Sequence, residues 1–287
     1  MTKVISASQL LRLYERGERE FMGAQLHQAN LVGANLIGVH MLGAELRQAD
    51  LRRTSLMGAN LSSAELTESK LSEAGLIGVD LSLSTLRSAL LNMAMAIDAN
   101  FIGADLAGAD LSGANLSGAR LIRANLNKAI LIRATMRRAD LSGANLSGAM
   151  LSQANLRRAD ISGANVTSAN MNGINLRRAD LSGANLTGSI LSQATLRRAD
   201  LIQTNLSGAN LRRTDLSHAD LIETDLQGAN LNEADLRGAD LNRTNLAGCN
   251  LIGANLSDAS LSGSLYDANT RFDPAFDPYS AGMQKVE

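Results

Sequence analysis

A period of five residues runs through this chain without a slip from residue 21 to residue 261. Residues whose numbers end in 1 or 6 give 49 positions in that span, and 41 of them are Leu. The others are Phe21, Met41, Ala96, Phe101, Met136, Ile161, Val166 and Met171, all large and apolar except Ala96. Two residues before each stands a compact side chain: 36 of the 48 positions from Ala24 to Ala259 are Ala. The residue between is mostly Asn or Asp. Two residues after the Leu comes a slot that holds 22 of the 25 glycines.

Apolar–polar–apolar is the alternation of a strand, in which every second side chain points the same way. A short Ala and a long Leu point inward, and the Asn or Asp between them points out. The two residues after the Leu make a corner, where Gly tolerates the positive φ that tight turns require. An α-helix needs its apolar residues three and four apart. A strict interval of five spreads them over several faces, so helix is excluded here.

A second period lies on the first. Residues 136–145 read MRRADLSGAN, residues 156–165 LRRADISGAN and residues 176–185 LRRADLSGAN. A variation at 20 over a unit of five predicts a coil of four sides, with residues 20 apart stacked on one another. Units such as ADLSG, ANLSG and ADLRG resemble the pentapeptide-repeat family, A(D/N)LXX, of the cyanobacterial type. The resemblance implies an all-β solenoid, a right-handed quadrilateral β-helix. At about 4.8 Å per coil, about 12 coils would give a rod of ~60 Å.

The two ends differ from the repeat, and the expected division is 1–20, 21–265 and 266–287. In residues 5–17, ISASQLLRLYERG, Ser6 and Gln9 have the spacing of a capping box, with Ile5 and Leu10 placed as a hydrophobic staple. Leu10, Leu11, Leu13 and Tyr14 make one apolar face, and Gly17 suits the helix end. A short α-helical cap on the first coil is predicted. The C-terminal stretch holds both prolines, Pro274 and Pro278, and Tyr266, Phe272, Phe276 and Tyr279. It reads as an aromatic, Pro-containing cap under the last coil, because four rings call for burial. The alternative is a disordered tail. Two covered ends lead to the expectation of a monomer.

Composition excludes more than it selects. The formal net charge is −1 and aromatics are 2 % of the chain, so there is no broad basic footprint for nucleic acid. No apolar run approaches the ~18 residues of a membrane helix, and MTKVISASQL lacks a secretory pattern. A cytoplasmic protein with no membrane partner is expected. Cys249 occupies an inward Ala slot and reads as core. His27, His40 and His218 fall in different columns, so no metal or catalytic pair is expected. No cofactor is expected, and an enzyme is not.

Two outward features remain. Arg137, Arg138, Arg157, Arg158, Arg177, Arg178, Arg197 and Arg198 form a ladder, followed two residues on by Asp140, Asp160, Asp180 and Asp200. One reading is a mutually neutralising stripe that keeps the molecule soluble. Others are a docking stripe for an acidic or phosphorylated partner, or a cation site on the Asp ladder. In residues 82–98, SLSTLRSALLNMAMAID, apolar side chains take outward slots: Leu83 and Met93 where Gly is usual, Leu90 and Met95 where Asn or Asp is usual, and Ile97 after Ala96. Either a local bulge turns Met93 or Met95 inward to fill the space beside Ala96, or the group forms an adaptable exposed patch for a partner. Leu90, Ile130, Met150 and Ile190 share one column.

The leading functional expectation is a non-catalytic protein-interaction or scaffold protein that binds a still unidentified protein partner through an outer face. The resemblance supports it, because some members of that family act in heterocyst regulation by binding another protein. The alternative is a DNA mimic that binds a type II topoisomerase, DNA gyrase, as the gyrase-protecting members of the family do. A third reading is a bare structural spacer.

Overall fold

The computed structural model describes residues 5–287. It divides into two compact units, Met1–Asn145 and Leu146–Glu287. Each is a stack of four-sided coils. In the first unit, parallel bridges join residues 20 apart, from Glu20↔His40 to Asn125↔Asn145. In the second they run from Met150↔Asn170 to Asp240↔Ser260 with the same spacing. Each side contributes one bridged residue, so the sides are too short to make regular strands.

The unit Asn60–Ala64 shows why this turn repeats. Asn60 N donates to Val39 O in the coil before, and Leu61 N and Ser63 N donate to Asp80 O and Ser82 O in the coil after. Ala64 N closes the corner on Leu61 O. One N–H remains, that of Ser62, and it donates to Oδ1 of Asn60 at 2.9 Å. All five backbone donors are thus satisfied within or between coils. The outward Asn or Asp is therefore a corner cap: its side chain takes the one donor that the neighbouring coils leave over.

All 49 slots from Gly23 to Gly263 have positive φ, 22 of them Gly and 27 not. The fold demands a left-handed residue at every corner whatever the side chain, at roughly 0.5–1 kcal/mol for each non-Gly residue. The Leu and Ala columns are buried almost without exception, with Phe21 and Phe101 the largest fully buried side chains. Thr in an Ala slot is tolerated because its hydroxyl finds a carbonyl: Thr54 Oγ1 donates to Leu31 O at 2.7 Å and Thr204 Oγ1 to Leu181 O at 2.8 Å. Cys249 occupies the same position, its thiol 2.8 Å from Leu226 O.

In the first unit, helix α1 spans Ala7–Glu15. Its capping box is formed: Gln9 N donates to Ser6 Oγ and Ser6 N to Gln9 Oε1. Leu10 is fully buried, and Tyr14 Oη donates to Ile37 O at 2.9 Å, tying the helix to the fourth corner of the coil stack. In the second unit the chain beyond residue 265 is not a loose tail. Strand β1 (Leu265–Tyr266) pairs in parallel with β2 (Gln284–Lys285), and Arg271 bonds to the preceding coil, its O accepting from Leu251 N and its N donating to Cys249 O. Tyr266, Phe272 and Phe276 form a cluster, with ring centroids 5.9 and 4.9 Å apart. The expected burial of four rings is not reached: Tyr266, Phe272 and Phe276 are half-buried and Tyr279 is 84 % exposed. The turn held by Asp277 carries that ring outward.

Candidate interaction surfaces

In the first unit, Leu83 and Met93 are ten residues apart, half a coil, and occupy diagonally opposite corners. Leu83 therefore does not belong with the other four apolar residues. Leu90 lies at the centre of one side, Met93 at the next corner, Met95 on the adjoining side and Ile97 at its far corner.

No bulge forms here. Met95 is bridged to both Gly75 and Asn115, and Ala96 N donates to Asn115 O at 2.8 Å. Met93 is 60 % exposed and Met95 42 %, so neither fills the space beside Ala96. Bulk returns instead at the next Leu slot, where Phe101 is fully buried.

Leu90, Met93 and Met95 each break a local rule of the fold. Met93 has φ +60° in a slot that Gly fills most often. Its sulfur lies where a β-carbon on Gly113 would stand, 2.6 Å away, so Gly113 makes room for it. Leu90 and Met95 cannot cap a corner, and among the described residues no side chain accepts from Asn92 N or Ile97 N. A sequence that departs from its own local preferences marks a candidate functional position.

The sequence reading missed a neighbouring feature. Ile37, Met57, Ile77 and Ile97 stack in one corner column, linked by Gly38 N to Met57 O, Gly58 N to Ile77 O and Gly78 N to Ile97 O, each 2.9 Å. The first three are exposed and Ile97 is half-buried. Beside them Gly75 leaves the adjoining side bare between Ser55 and Met95. The signal was present as Ile or Met at an interval of 20, but each residue taken alone is an ordinary corner residue.

The charged columns behave differently from the neutralising stripe considered above. In the second unit the phrase Arg-Arg-Ala-Asp recurs at 157–160, 177–180 and 197–200. Among the described residues no ion pair joins Arg158, Arg177, Arg178, Arg197 or Arg198 to a carboxylate. Asp160 and Asp180 instead cap their corners, each Oδ1 accepting from the N and Oγ of Ser162 or Ser182. Asp200 Oδ1 accepts from Ile202 N. In the first unit Asp140 does the same with Ser142, and neither Arg137 nor Arg138 pairs with it.

The reason is direction along the chain. An Arg reaches an Asp two residues before it: Arg52 and Arg237 grip Asp50 and Asp235 through Nε and Nη2 at 2.8 and 2.6 Å. Those hydrogen bonds hold both carboxyls below their usual range. In the Arg-Arg-Ala-Asp phrase the residue two before the first Arg is Asn155, Asn175 or Thr195, and the Asp lies on the wrong side.

His27 and His40 each meet a Glu, at 2.7 and 2.6 Å, in different places. Burial pushes the Cys249 thiol up to about 12, which leaves it protonated and inert as a nucleophile. Among the described residues no cluster of His, Cys, Asp and Glu is placed to hold a metal ion. No helix there is long and apolar enough to cross a membrane.

The family model for pentapeptide repeats matches in eight copies, over residues 20–56, 54–92, 99–138, 119–158, 139–178, 154–198, 194–232 and 229–265. Residues 93–98, which hold Met93, Met95 and Ile97, fall outside every copy. No curated protein matches the chain. Among solved structures, the chain is similar to HetL of the cyanobacterium Nostoc sp. strain PCC 7120, described as involved in heterocyst differentiation regulation. Identity is 36 %, covering 91 % of this chain and 96 % of HetL, with a TM-score of 0.48. It is also similar to Rfr23 of the cyanobacterium Cyanothece 51142, at 45 % identity over 34 % of this chain and 64 % of Rfr23, TM-score 0.21. QnrB1, a plasmid-mediated fluoroquinolone resistance protein, matches at 19 % identity over 76 % of this chain and 87 % of its own, TM-score 0.33. The chain belongs to the pentapeptide-repeat family, and the four-sided coil of residues 20 apart is the fold described above.

Proposed function

We propose that this protein is a non-catalytic interaction protein and that it binds a protein partner through Leu90, Met93, Met95 and Ile97, with the Ile37–Met57–Ile77 column as an extension of the same surface. One observation carries the reading: large apolar residues are exposed in slots where the fold gains from Asn, Asp or Gly. Exposed, flexible Met side chains suit a surface that adapts to a partner. A regulatory role of the kind named for HetL is compatible with such a surface. In the same reading the repeat makes about 12 coils, and α1 and residues 266–287 act as end caps that prevent coil-on-coil association.

The DNA-mimic alternative needs an unbroken acidic face. The unpaired arginines of the second unit have the opposite sign, and the chain carries only −1 overall.

The test uses a variant that restores the family pattern, Leu90→Asn/Met93→Gly/Met95→Asn. Affinity capture from a cyanobacterial lysate would compare it with the wild type, alongside thermal melts. The expected result is a partner lost by a variant that melts higher than the wild type. Equal capture by both proteins removes the apolar surface as the binding site.

A further inference from the structure

In the second unit the Arg-Arg-Ala-Asp phrase sets a column of long cationic side chains beside a column of short anionic ones. Asp160↔Asp180 and Asp180↔Asp200 are bridge partners, so both columns repeat at the inter-strand spacing of about 4.8 Å. Neither column is complete in itself. Arg158, Arg178 and Arg198 have no carboxylate partner, and Asp160 and Asp180 use only Oδ1, leaving Oδ2 without a hydrogen bond. The orphaned Nε of Arg177 is buried without a partner. Beyond the Asp column the edge of this side is low at Ser162, Gly163, Ser182 and Gly183 and rises at Ile202 and Gln203. A β-carbon on Gly163 or Gly183 would meet nothing within 4 Å. The side is thus high and positive along one edge, negative along its middle and low along the other edge.

We infer that this side docks against the same side of a second copy of the chain, about a two-fold axis parallel to the coil axis. A half-turn about such an axis reverses the facing side left to right and leaves positions along the coil axis unchanged. With the axis running between the two columns, the cationic column of each copy is carried over the anionic column of the other, and the low edges lie outside the contact. Arg158, Arg178 and Arg198 of one copy meet Asp160, Asp180 and Asp200 of its partner coil for coil, and the reciprocal set forms at once. That is what an isologous interface requires.

Pitch selects this occupant over other anions. An extended acidic peptide lying along the coil axis presents same-face side chains about 6.8 Å apart, out of step with the columns. A second copy repeats at the same spacing. Nucleic acid would bring phosphates against the Asp column as well as the Arg column. The expectation of a monomer rested on the two ends, whereas this contact uses a side and leaves the ends untouched. Exposed ion pairs are individually weak and screened by salt, so the dimer is concentration-dependent.

Sedimentation equilibrium of the full chain tests this with two charge-reversed variants. In one, Arg158, Arg178 and Arg198 become Glu; in the other, Asp160, Asp180 and Asp200 become Lys. The wild type should dimerise at low salt. Its dissociation constant should rise about tenfold or more towards 1 M salt, where the Debye length falls from ~10 Å to ~3 Å. Each variant alone should be monomeric, because like charges then face each other, and an equimolar mixture should form a heterodimer. Should the Asp variant fail to fold for want of its corner caps, Asp160→Asn/Asp180→Asn/Asp200→Asn keeps the caps and should weaken the dimer. A wild type that stays monomeric up to its solubility limit overturns the inference, even if it binds polyglutamate. So does a dimer that the Arg variant leaves intact.

Discussion

Residues 82–98 of the first unit and residues 155–187 of the second rest on the same buried frame of Leu and Ala, and they treat their outer slots in opposite ways. In the second segment every outward residue from Asn155 to Asn185 is Asn or Asp. All of them accept from the backbone N–H two residues on. In the first segment the outward residues are Thr85, Leu90 and Met95, and none caps its corner. Met93 adds an exposed apolar side chain at positive φ, in a slot that the second segment fills with Gly163, Gly173 and Gly183 or with the polar Arg158, Ser168 and Arg178. The buried frame is indifferent to what hangs outside it, since Met95 keeps both its bridges. Selection on the surface can therefore proceed without disturbing the fold, at a local cost in stability.

The largest test asks whether the two frames are equal. Leu91→Ala and Leu181→Ala should each cost about 3 kcal/mol in chemical denaturation, because both side chains are fully buried. Costs that differ between the two sites by more than the usual scatter would break the comparison. Next come exchanges of capping residues. Asp180→Leu should cost about 1 kcal/mol by leaving Ser182 N uncapped, and Leu90→Asn should recover about as much. If Leu90→Asn destabilises, the apolar side chain is part of the frame and not an ornament on it. A smaller effect is expected of the corner pair. Gly183→Met should destabilise and Met93→Gly stabilise, each by ~0.5 kcal/mol, through the left-handed backbone that both sites share.

The smallest effect carries the comparison to the C-terminal segment, where an Asp also serves as a cap. Asp267 accepts from Gly248 N, and its pKa is lowered from 3.8 to about 2, first by that bond and then by Thr270. A folded-state pKa below the unfolded value stabilises above the unfolded value and loses its effect as pH falls to the folded one. The protection of Gly248 N–H from hydrogen exchange, relative to the intrinsic rate at each pH, should fall between roughly pH 4 and pH 2, and Asp267→Asn should abolish that step. A protection factor at Gly248 that does not vary across this window would show that Asp267 holds nothing in place.

Much of this was legible in the sequence. The Leu and Ala columns, the four-sided coil and the capping box of Ser6 and Gln9 follow from spacing alone, because each rests on interactions a fixed number of residues apart. The separation of Leu83 from Met93 was also legible, since ten residues is half of 20. The role of the outward Asn and Asp was harder to see. It depends on which single N–H the neighbouring coils leave unbonded, and that emerges only when every donor has been assigned. The unpaired arginines were misread for a related reason: Asp50–Arg52 and Arg178–Asp180 look alike as pairs of opposite charge two residues apart. Only the backbone direction at the corner shows that one reaches and the other does not. The Ile37–Met57–Ile77–Ile97 column was hidden by its own spacing, because no window shorter than three coils contains enough of it to notice.

The rule that links each coil to the next at 20 residues has a genetic corollary. Loss or gain of 20 residues within a unit removes or adds one whole coil and leaves every column in line. Loss or gain of five keeps the inward Leu and Ala pattern intact but turns everything beyond it by a quarter of a revolution. A five-residue deletion between Asn185 and Arg197, for example, would carry Arg197, Arg198 and Asp200 to the adjacent side and away from Arg177, Arg178 and Asp180. The chain can thus lengthen in small steps only by redistributing its surface, and can lengthen without redistributing it only by whole coils.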